Sequence, residues 1–342
     1  MIITFFLLAC GEPEDVNIAI GPETGETEPS SEPSDTTTEP SSEPAEEPAD
    51  EPAAEPSGEL RWNTLSVGET HNCALQSDGQ VYCWGYSAAN QLEPPPDTLF
   101  QDVSAGLWHS CGIDTQGALQ CWGCDGNDIG QCSPPSGTYT HVASGQYHSC
   151  ALTTDGSIDC WGCGDPRNYD QCEAPSGTYT QLAIAGEHSC ALSSSGQIEC
   201  WGCGAGSDNW GQCSPPAGSY TQISVGAANG CALDDQGDTT CWGRDHFSES
   251  SPPEETFSQI SLGHIHGCGV TSQGVLDCWG CNGGPEATLG QCNPPEGSFI
   301  QSGSGTGHSC GLNERYEITC WGCGDGSWRW DIGQCDSPTL IE

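Results

Sequence analysis

The tripeptide Cys-Trp-Gly occurs seven times in this chain, with Trp at 84, 122, 161, 201, 242, 279 and 321. Successive copies lie 38, 39, 40, 41, 37 and 42 residues apart. A chain that repeats at a period near 40 folds as a series of like units, each burying its apolar face against its neighbours. Composition narrows the kind of unit. The 342 residues include 47 Gly and 24 Pro, and the repeats carry no amphipathic helical period. Strand-like pieces recur instead, such as TQLAIAG, HSCALSS and GQIECWG in the fourth copy. A propeller or a β-solenoid is expected, and helical repeats are not.

One hairpin can be derived in detail. Cys150-Ala-Leu-Thr-Thr-Asp-Gly-Ser-Ile-Asp-Cys160 is symmetric about Asp155. Thr154-Asp155-Gly156 fits a three-residue loop with Gly156 in the left-handed region. That register sets Thr153 opposite Ser157, Leu152 opposite Ile158 and Cys150 opposite Cys160. Opposed residues of an antiparallel pair lie about 4.5–5.5 Å apart at Cα, a separation a disulfide accepts. The period of two puts Leu152, Ile158 and the cysteines on one face, expected to pack on a neighbouring blade.

The same spacing recurs as Cys73–Cys83, Cys111–Cys121, Cys150–Cys160, Cys190–Cys200, Cys231–Cys241, Cys268–Cys278 and Cys310–Cys320. A second set is Cys124–Cys132, Cys163–Cys172, Cys203–Cys213, Cys281–Cys292 and Cys323–Cys335. Together the sets take 24 of the 25 cysteines and leave Cys10. The first repeat has Tyr86 and Leu92 where the second pair would stand, and the fifth has Arg244 and no late Cys. Both members of the second set vanish together, so pairing is expected within each set. Tyr86 and Leu92 are expected to substitute an apolar contact. Five copies read Cys-Trp-Gly-Cys, a spacing shared with zinc sites and thioredoxin-type redox pairs. Zinc would use four sulfurs per repeat, yet two repeats keep only two. A redox site would not need five copies. Structural disulfides fit best, with no metal and no cofactor.

Ahead of the repeats, residues 1–10 read MIITFFLLAC, too short to span a bilayer as a helix and typical of a secretory signal. Leu7-Leu8-Ala9-Cys10 resembles the lipobox of bacterial lipoproteins, which implies cleavage before Cys10 and a lipid on it. The alternative is a signal peptide with an incidental cysteine. Residues 11–60 form an acidic, Pro-rich tether with 16 Asp or Glu and repeated Ser/Ala-Glu-Pro units. Such a segment cannot offset the entropy of folding and is expected to be disordered. Extended, it would reach on the order of 150 Å. The domain plan is therefore 1–10 signal, 11–60 linker and 61–342 repeats.

Charge excludes other classes. The chain has no Lys, five Arg and 48 acidic residues, a formal net charge of −43. Nucleic acid and anionic membranes are bound through Lys and Arg, so neither is an expected partner. The membrane is reached only through a lipid on Cys10. A cysteine density of this order belongs to oxidising compartments. The expected location is the bacterial cell envelope, lipid-anchored or secreted, and not the cytoplasm.

The repeat GQYHSCALTTDGSIDCWG at 145–162, with Gln91-Leu92, Asn282 and Gly-Gln-Cys at 130–132, 211–213, 290–292 and 333–335, resembles the regulator of chromosome condensation repeat family. The resemblance implies a seven-bladed β-propeller, here all-β with intrablade disulfides. Approximate repeat bounds are 61–100, 101–139, 140–179, 180–220, 221–257, 258–299 and 300–342. Residues 337–342 are a candidate to complete a blade with the segment near Trp62. The resemblance also implies guanine-nucleotide exchange, but the repeats are short and even, and the signal and cysteines place the domain away from small GTPases.

His71, His109, His148, His188, His266 and His308 recur two residues before a hairpin cysteine, with Asn229 in the fifth repeat. Asn can replace His as a hydrogen-bonding group but not as a proton carrier, so structural hydrogen bonds are expected. The repeated Trp are expected to pack between blades. The loops after Trp-Gly vary most and should share one face. They carry Arg167, Tyr169, Trp210, Trp328, Arg329 and Trp330, residue types that anchor interfaces. No nucleophile elbow, phosphate loop or His-Glu-x-x-His occurs. The reading is a monomeric binding or scaffold module for an extracellular or envelope protein or glycan, not an enzyme. The alternative is an extracytoplasmic hydrolase or lyase using carboxylates at the channel mouth.

Overall fold

The structure, a computed structural model, describes residues 60–126, 128–164, 169–186, 188–203, 209–282, 289–324 and 332–339. Cys10 and the linker up to Glu59 lie outside these residues, as do Arg167, Trp328, Arg329 and Trp330. The described residues form seven antiparallel three-stranded sheets and no helix. Each sheet is one blade, spanning 62–85, 100–123, 139–161, 179–201, 222–243, 257–279 and 299–321. Strands follow sequence order within every blade, so each is a local meander. The chain is a seven-bladed β-propeller.

Blade 3 shows how the sequence sets the register. Its strands are Tyr139–Ser144, Ser149–Thr153 and Ile158–Trp161. Cys150 pairs with Cys160 and Leu152 with Ile158. Thr153 N donates to Ser157 O at 2.9 Å, and Gly156 closes the turn at φ 83°. Alternation from the Thr153–Ser157 pair makes Cys150–Cys160 a non-hydrogen-bonded pair, the closer of the two kinds. Their Cα atoms are 4.0 Å apart, nearer than the spacing expected from strand geometry alone. The seventh hairpin lacks the turn glycine. Tyr316 takes the left-handed position there at φ 60°, with the Arg61 guanidinium 4.7 Å from its ring centre.

The apolar core is not one mass but seven seams between blades. In the seam of blades 3 and 4, Cys150, Leu152, Ile158 and Cys160 pack on Tyr179, Leu182, Ala191 and Trp201. The same arrangement closes the ring: Cys310, Leu312, Ile318 and Cys320 of blade 7 pack on Trp62, Leu65, Ala74 and Trp84 of blade 1. Every repeated Trp lies in such a seam. Its Nε1 donates to the carbonyl of the Gln, or of Glu249, that ends the preceding blade's loop, from Trp122 to Gln91 at 3.0 Å through Trp84 to Gln334 at 3.0 Å.

Closure therefore differs from the expected completion of a blade by residues 337–342 and the Trp62 segment. Trp62–Val67 is the first strand of a blade made wholly of its own repeat. Ser337 lies beside the third strand of blade 7, donating to Ile318 O at 3.0 Å. Blades 7 and 1 are joined by side chains and loop carbonyls, like any other neighbouring pair. An even set of complete meanders leaves no strand to share.

Twelve disulfides staple the blades. Seven join the second strand to the third, Cys73–Cys83, Cys111–Cys121, Cys150–Cys160, Cys190–Cys200, Cys231–Cys241, Cys268–Cys278 and Cys310–Cys320. Five close the loop after Trp-Gly, Cys124–Cys132, Cys163–Cys172, Cys203–Cys213, Cys281–Cys292 and Cys323–Cys335. In the fifth blade an ion pair stands in for the loop bond. Arg244 Nε lies 2.7 Å from Glu249 Oε1, and both are largely buried. In the first blade the Tyr86 ring meets Trp108 edge-on at 5.9 Å, a contact across the seam to blade 2.

Candidate functional site

The blade meander fixes two faces. The connection from first to second strand and the loop after the third strand leave from the same end. Backbone bonds tie them together, with Tyr86 N to Thr70 O at 3.0 Å, Cys124 N to Trp108 O at 3.1 Å and Arg244 N to Ala228 O at 2.9 Å. This loop face has an inner ring of Gly-x-x-His connections around the central channel and an outer ring of post-Trp-Gly loops. The Asp-Gly hairpins occupy the opposite face.

The inner ring is built on close backbone approach. A Cβ on Gly68 would lie 2.5 Å from the Gly106 carbonyl oxygen, and one on Gly305 2.6 Å from that of Gly68. Each glycine thus lets the next blade's main chain close in. The fourth blade departs from the pattern with Ala185 in the equivalent position.

Below this ring the channel is lined by first strands, and its polar groups serve ring closure. A glutamine amide carries a donor and an acceptor and so matches a peptide group. Gln181 Oε1 accepts from Ile223 N at 3.0 Å while its Nε2 donates to Ile223 O at 3.3 Å. Gln222 does the same with Ile260, Gln259 with Ser302 and Gln301 with Leu65. Asp102 and His141 hold the corresponding positions in blades 2 and 3. Asp102 Oδ2 accepts from Val142 N at 2.9 Å and lies 3.0 Å from His141 Nδ1. Desolvation opposes the charged imidazole of His141, but its bond to Asp102 outweighs this and raises its pKa. The belt encloses a cavity of about 290 Å³.

The recurring histidines form a second belt, in the seams. His71 Nε2 lies 2.8 Å from Ser110 Oγ, His109 2.7 Å from Ser149, His148 2.7 Å from Ser189 and His266 2.8 Å from Ser309. His308 of blade 7 reaches Asn72 Oδ1 of blade 1 at 2.7 Å. Burial, chiefly, lowers these imidazoles to about 3 for His71, His148 and His266 and about 4 for His109, His188 and His308. They are neutral hydrogen-bonding groups in separate blades. Among the described residues no group of three or more His, Cys, Asp or Glu is placed to hold a metal ion. The belt breaks beside blade 5. Gly230 stands where a serine would meet His188, whose Nε2 is buried without a partner, and Gly267 stands where one would meet Asn229.

Of the sequence-predicted face residues, the structure describes Tyr169 and Trp210. Both are exposed, at 40% and 45%, on disulfide-pinned loops of neighbouring blades. The backbone N–H groups of both are held by the loop's own glutamine, Tyr169 N by Gln171 Oε1 at 2.5 Å and Trp210 N by Gln212 Oε1 at 2.7 Å. Trp210 also stacks edge-on with His246 of the next blade at 4.6 Å. His246 was not singled out from sequence, since its loop has no cysteine to mark it.

Sequence reasoning also passed over Glu69, in the inner-ring connection of blade 1. It lines a cavity of about 70 Å³ at the channel mouth, together with Val67, Ala105, Ile184, Val225 and Leu262. Gln146 Nε2 of blade 3 donates to Glu69 Oε2 at 3.1 Å, bridging over blade 2. Desolvation holds the Glu69 carboxyl above the usual carboxylate range, partly offset by that bond. The one signal for it was its place in the Gly-x-x-His connection.

A ring of seven small sheets with a pinned loop face defines the class: a repeat-built β-propeller whose variable surface is carried on a stapled frame. A family model matches three of the repeats. The regulator of chromosome condensation (RCC1) repeat matches residues 63–91, 100–128 and 139–168, which fall in the first three blades. No curated protein matches the sequence. Among solved structures, it is similar to the CRINKLY WD40 ectodomain of the Arabidopsis thaliana receptor kinase ACR4. Identity is 23% over 78% of this chain and 100% of that one, with a TM-score of 0.62. Human WBSCR16 is 19% identical over 74% of this chain and 87% of its own, with a TM-score of 0.60. Prp20p of Saccharomyces cerevisiae, whose binding to Gsp1p and histones is described with its structure, is 17% identical over 71% and 80%, with a TM-score of 0.58. These likenesses are of fold.

Proposed function

We propose that this protein is a lipid-anchored, extracytoplasmic scaffold that binds a protein partner through the loop face of its propeller. The observation that carries the reading is the pair of exposed rings, Tyr169 and Trp210, on loops pinned by Cys163–Cys172 and Cys203–Cys213. Aromatic side chains on a rigid frame give contact area with little entropy left to lose on binding. Arg167, between Cys163 and Cys172, and Trp328, Arg329 and Trp330, between Cys323 and Cys335, are proposed to extend the surface. Two of the similar folds, a receptor kinase ectodomain and Prp20p with its binding to Gsp1p and histones, support a binding role for such a frame. Twelve disulfides support a location outside the cytosol. Cys10 is proposed as the lipid site, with residues 11–60 as the spacer and a single chain as the working unit.

The channel's polar residues are spent on joining blades, which favours the scaffold over the hydrolase or lyase reading. Capture from envelope extract on the immobilised full chain tests the reading. A specific protein should be retained by the wild type and lost on Tyr169→Ala with Trp210→Ala. Retention that is unchanged by those substitutions would overturn it. Labelling with a palmitate analogue, present in the wild type and absent in Cys10→Ser, tests the anchor.

A further inference from the structure

We propose that the channel mouth on the loop face receives a single cationic side chain, lysine or arginine, of the protein partner, with Glu69 as its counter-charge. This rests on the reading that the loop face binds protein and names the chemistry recognised at its centre.

Four observations converge. First, Glu69 lines the mouth cavity and accepts one hydrogen bond from a described residue, Gln146 at 3.1 Å. An ionised carboxylate has acceptor sites for about four. Second, the Glu69 side chain is half-buried at the mouth, and desolvation raises its carboxyl pKa. An arriving cation restores what desolvation removed, and such a pair is stronger than one on an open surface. Third, the cavity is small, about 70 Å³, and ringed by Val67, Ala105, Ile184, Val225 and Leu262. That fits one aliphatic stem and not a helix or strand, and long basic side chains lay their methylenes on apolar surface.

Fourth, charge on this face is complementary to a basic partner. The outer ring carries Asp125, Asp128, Asp170 and Asp245. Arg244, the described arginine of this ring, is engaged by Glu249 at 2.7 Å and by the His264 carbonyl at 2.7 Å. The corresponding inner-ring positions are Leu107, Gln146, Gly186, Ala227, His264 and Thr306, so among the described residues Glu69 gives the mouth its fixed negative charge. With 48 acidic residues against five Arg, the chain as a whole draws basic partners towards it. Exposed Trp210 and Tyr169 offer ring faces to residues flanking the inserted cation.

The test uses the full chain in about 0.15 M salt, where long-range attraction is damped. Titration calorimetry compares three probes: an end-capped Lys-Gly octapeptide, the same peptide with every lysine acetylated, and chitohexaose. The expected result is binding of the lysine peptide at least tenfold tighter than either other probe. Glu69→Gln keeps the shape and should weaken that binding at least tenfold. Thr306→Lys puts a rival cation beside Glu69, whose carbonyl Thr306 N meets at 3.1 Å, and should weaken it comparably. Asp155→Asn, in a hairpin of the opposite face, should change it less than twofold. Equal losses from Glu69→Gln and Asp155→Asn would mean diffuse attraction and overturn the proposal. Preference for chitohexaose would overturn it in favour of a glycan. Lysine binding that ignores Glu69→Gln but falls with Trp210→Ala would remove the cation site and leave the loop-face reading standing. No binding of any probe, with a Trp210-dependent partner still captured, would do the same.

Discussion

Single residues in this protein act mostly across seams. The histidine of each Gly-x-x-His element packs in one blade and finds its hydrogen-bond partner in the next, as His71 does with Ser110. Ser110→Ala would leave the His71 Nε2 buried without that partner and is expected to cost about 1–3 kcal/mol, read from urea unfolding. An unchanged midpoint would mean the belt contributes nothing. Gly68→Ala forces a methyl group against the Gly106 carbonyl, and a loss of about 1–3 kcal/mol is expected from overpacking. Arg244→Gln would leave the Glu249 carboxylate buried and unpaired, with an expected loss of about 3 kcal/mol. A double-mutant cycle with Glu249→Gln, partly restoring stability, would separate the ion pair from simple packing. The exchange of a disulfide for this pair in blade 5 was half visible in the sequence. Arg244 stood in the place of a cysteine, but Glu249 is drawn in only by the folded loop.

At the scale of the element, the blade was legible because it is local. A three-stranded meander pairs neighbours in sequence, so hairpin symmetry alone set Leu152 against Ile158 and Cys150 against Cys160. Intrablade disulfides follow from the same register. Each hairpin bond closes a loop with a sequence separation of 10 and is worth roughly 2–3 kcal/mol in the chain-entropy model. Cys150→Ala with Cys160→Ala should therefore lower stability by about that much, measured by calorimetric unfolding. A loss well outside the range would show that the bond acts by packing in the seam, where both sulfurs lie against blade 4. The turn at Tyr316 was not legible. Asn313-Glu-Arg-Tyr-Glu317 has no Gly or Asn at the left-handed position, and the turn holds with Arg61 lying over the Tyr316 ring.

For the whole molecule, the seams make stability depend on pH. Six buried imidazoles titrate near 3 or 4 in the fold against an ordinary value near 6.5. The unfolded chain then binds more protons below about pH 6.5, so stability falls as pH drops from there towards 4. Denaturant midpoints measured from pH 7 to 4.5 should decline steadily, with uptake of several protons on unfolding. A flat profile would contradict neutral, buried histidines. Reduction should have a comparable reach. Hydrophobic residues are 34% of the chain, distributed among seven thin seams, so full reduction and capping is expected to abolish cooperative unfolding at 37 °C. A retained melting transition would show that the seams suffice without sulfur.

What the sequence determined by itself was everything that repeats at short range: the number of units, the hairpin register, the stapling within a blade and the strand-rich class. These rest on contacts between residues about ten apart, which spacing alone can place. Tertiary structure decided what lies between units. Only the closed ring brings Gln181 to the Ile223 main chain, Asn72 to His308, and Glu69 under the amide of Gln146. Those residues are polar and unremarkable in the sequence, because their partners are fixed by curvature and closure, and neither has a local signature.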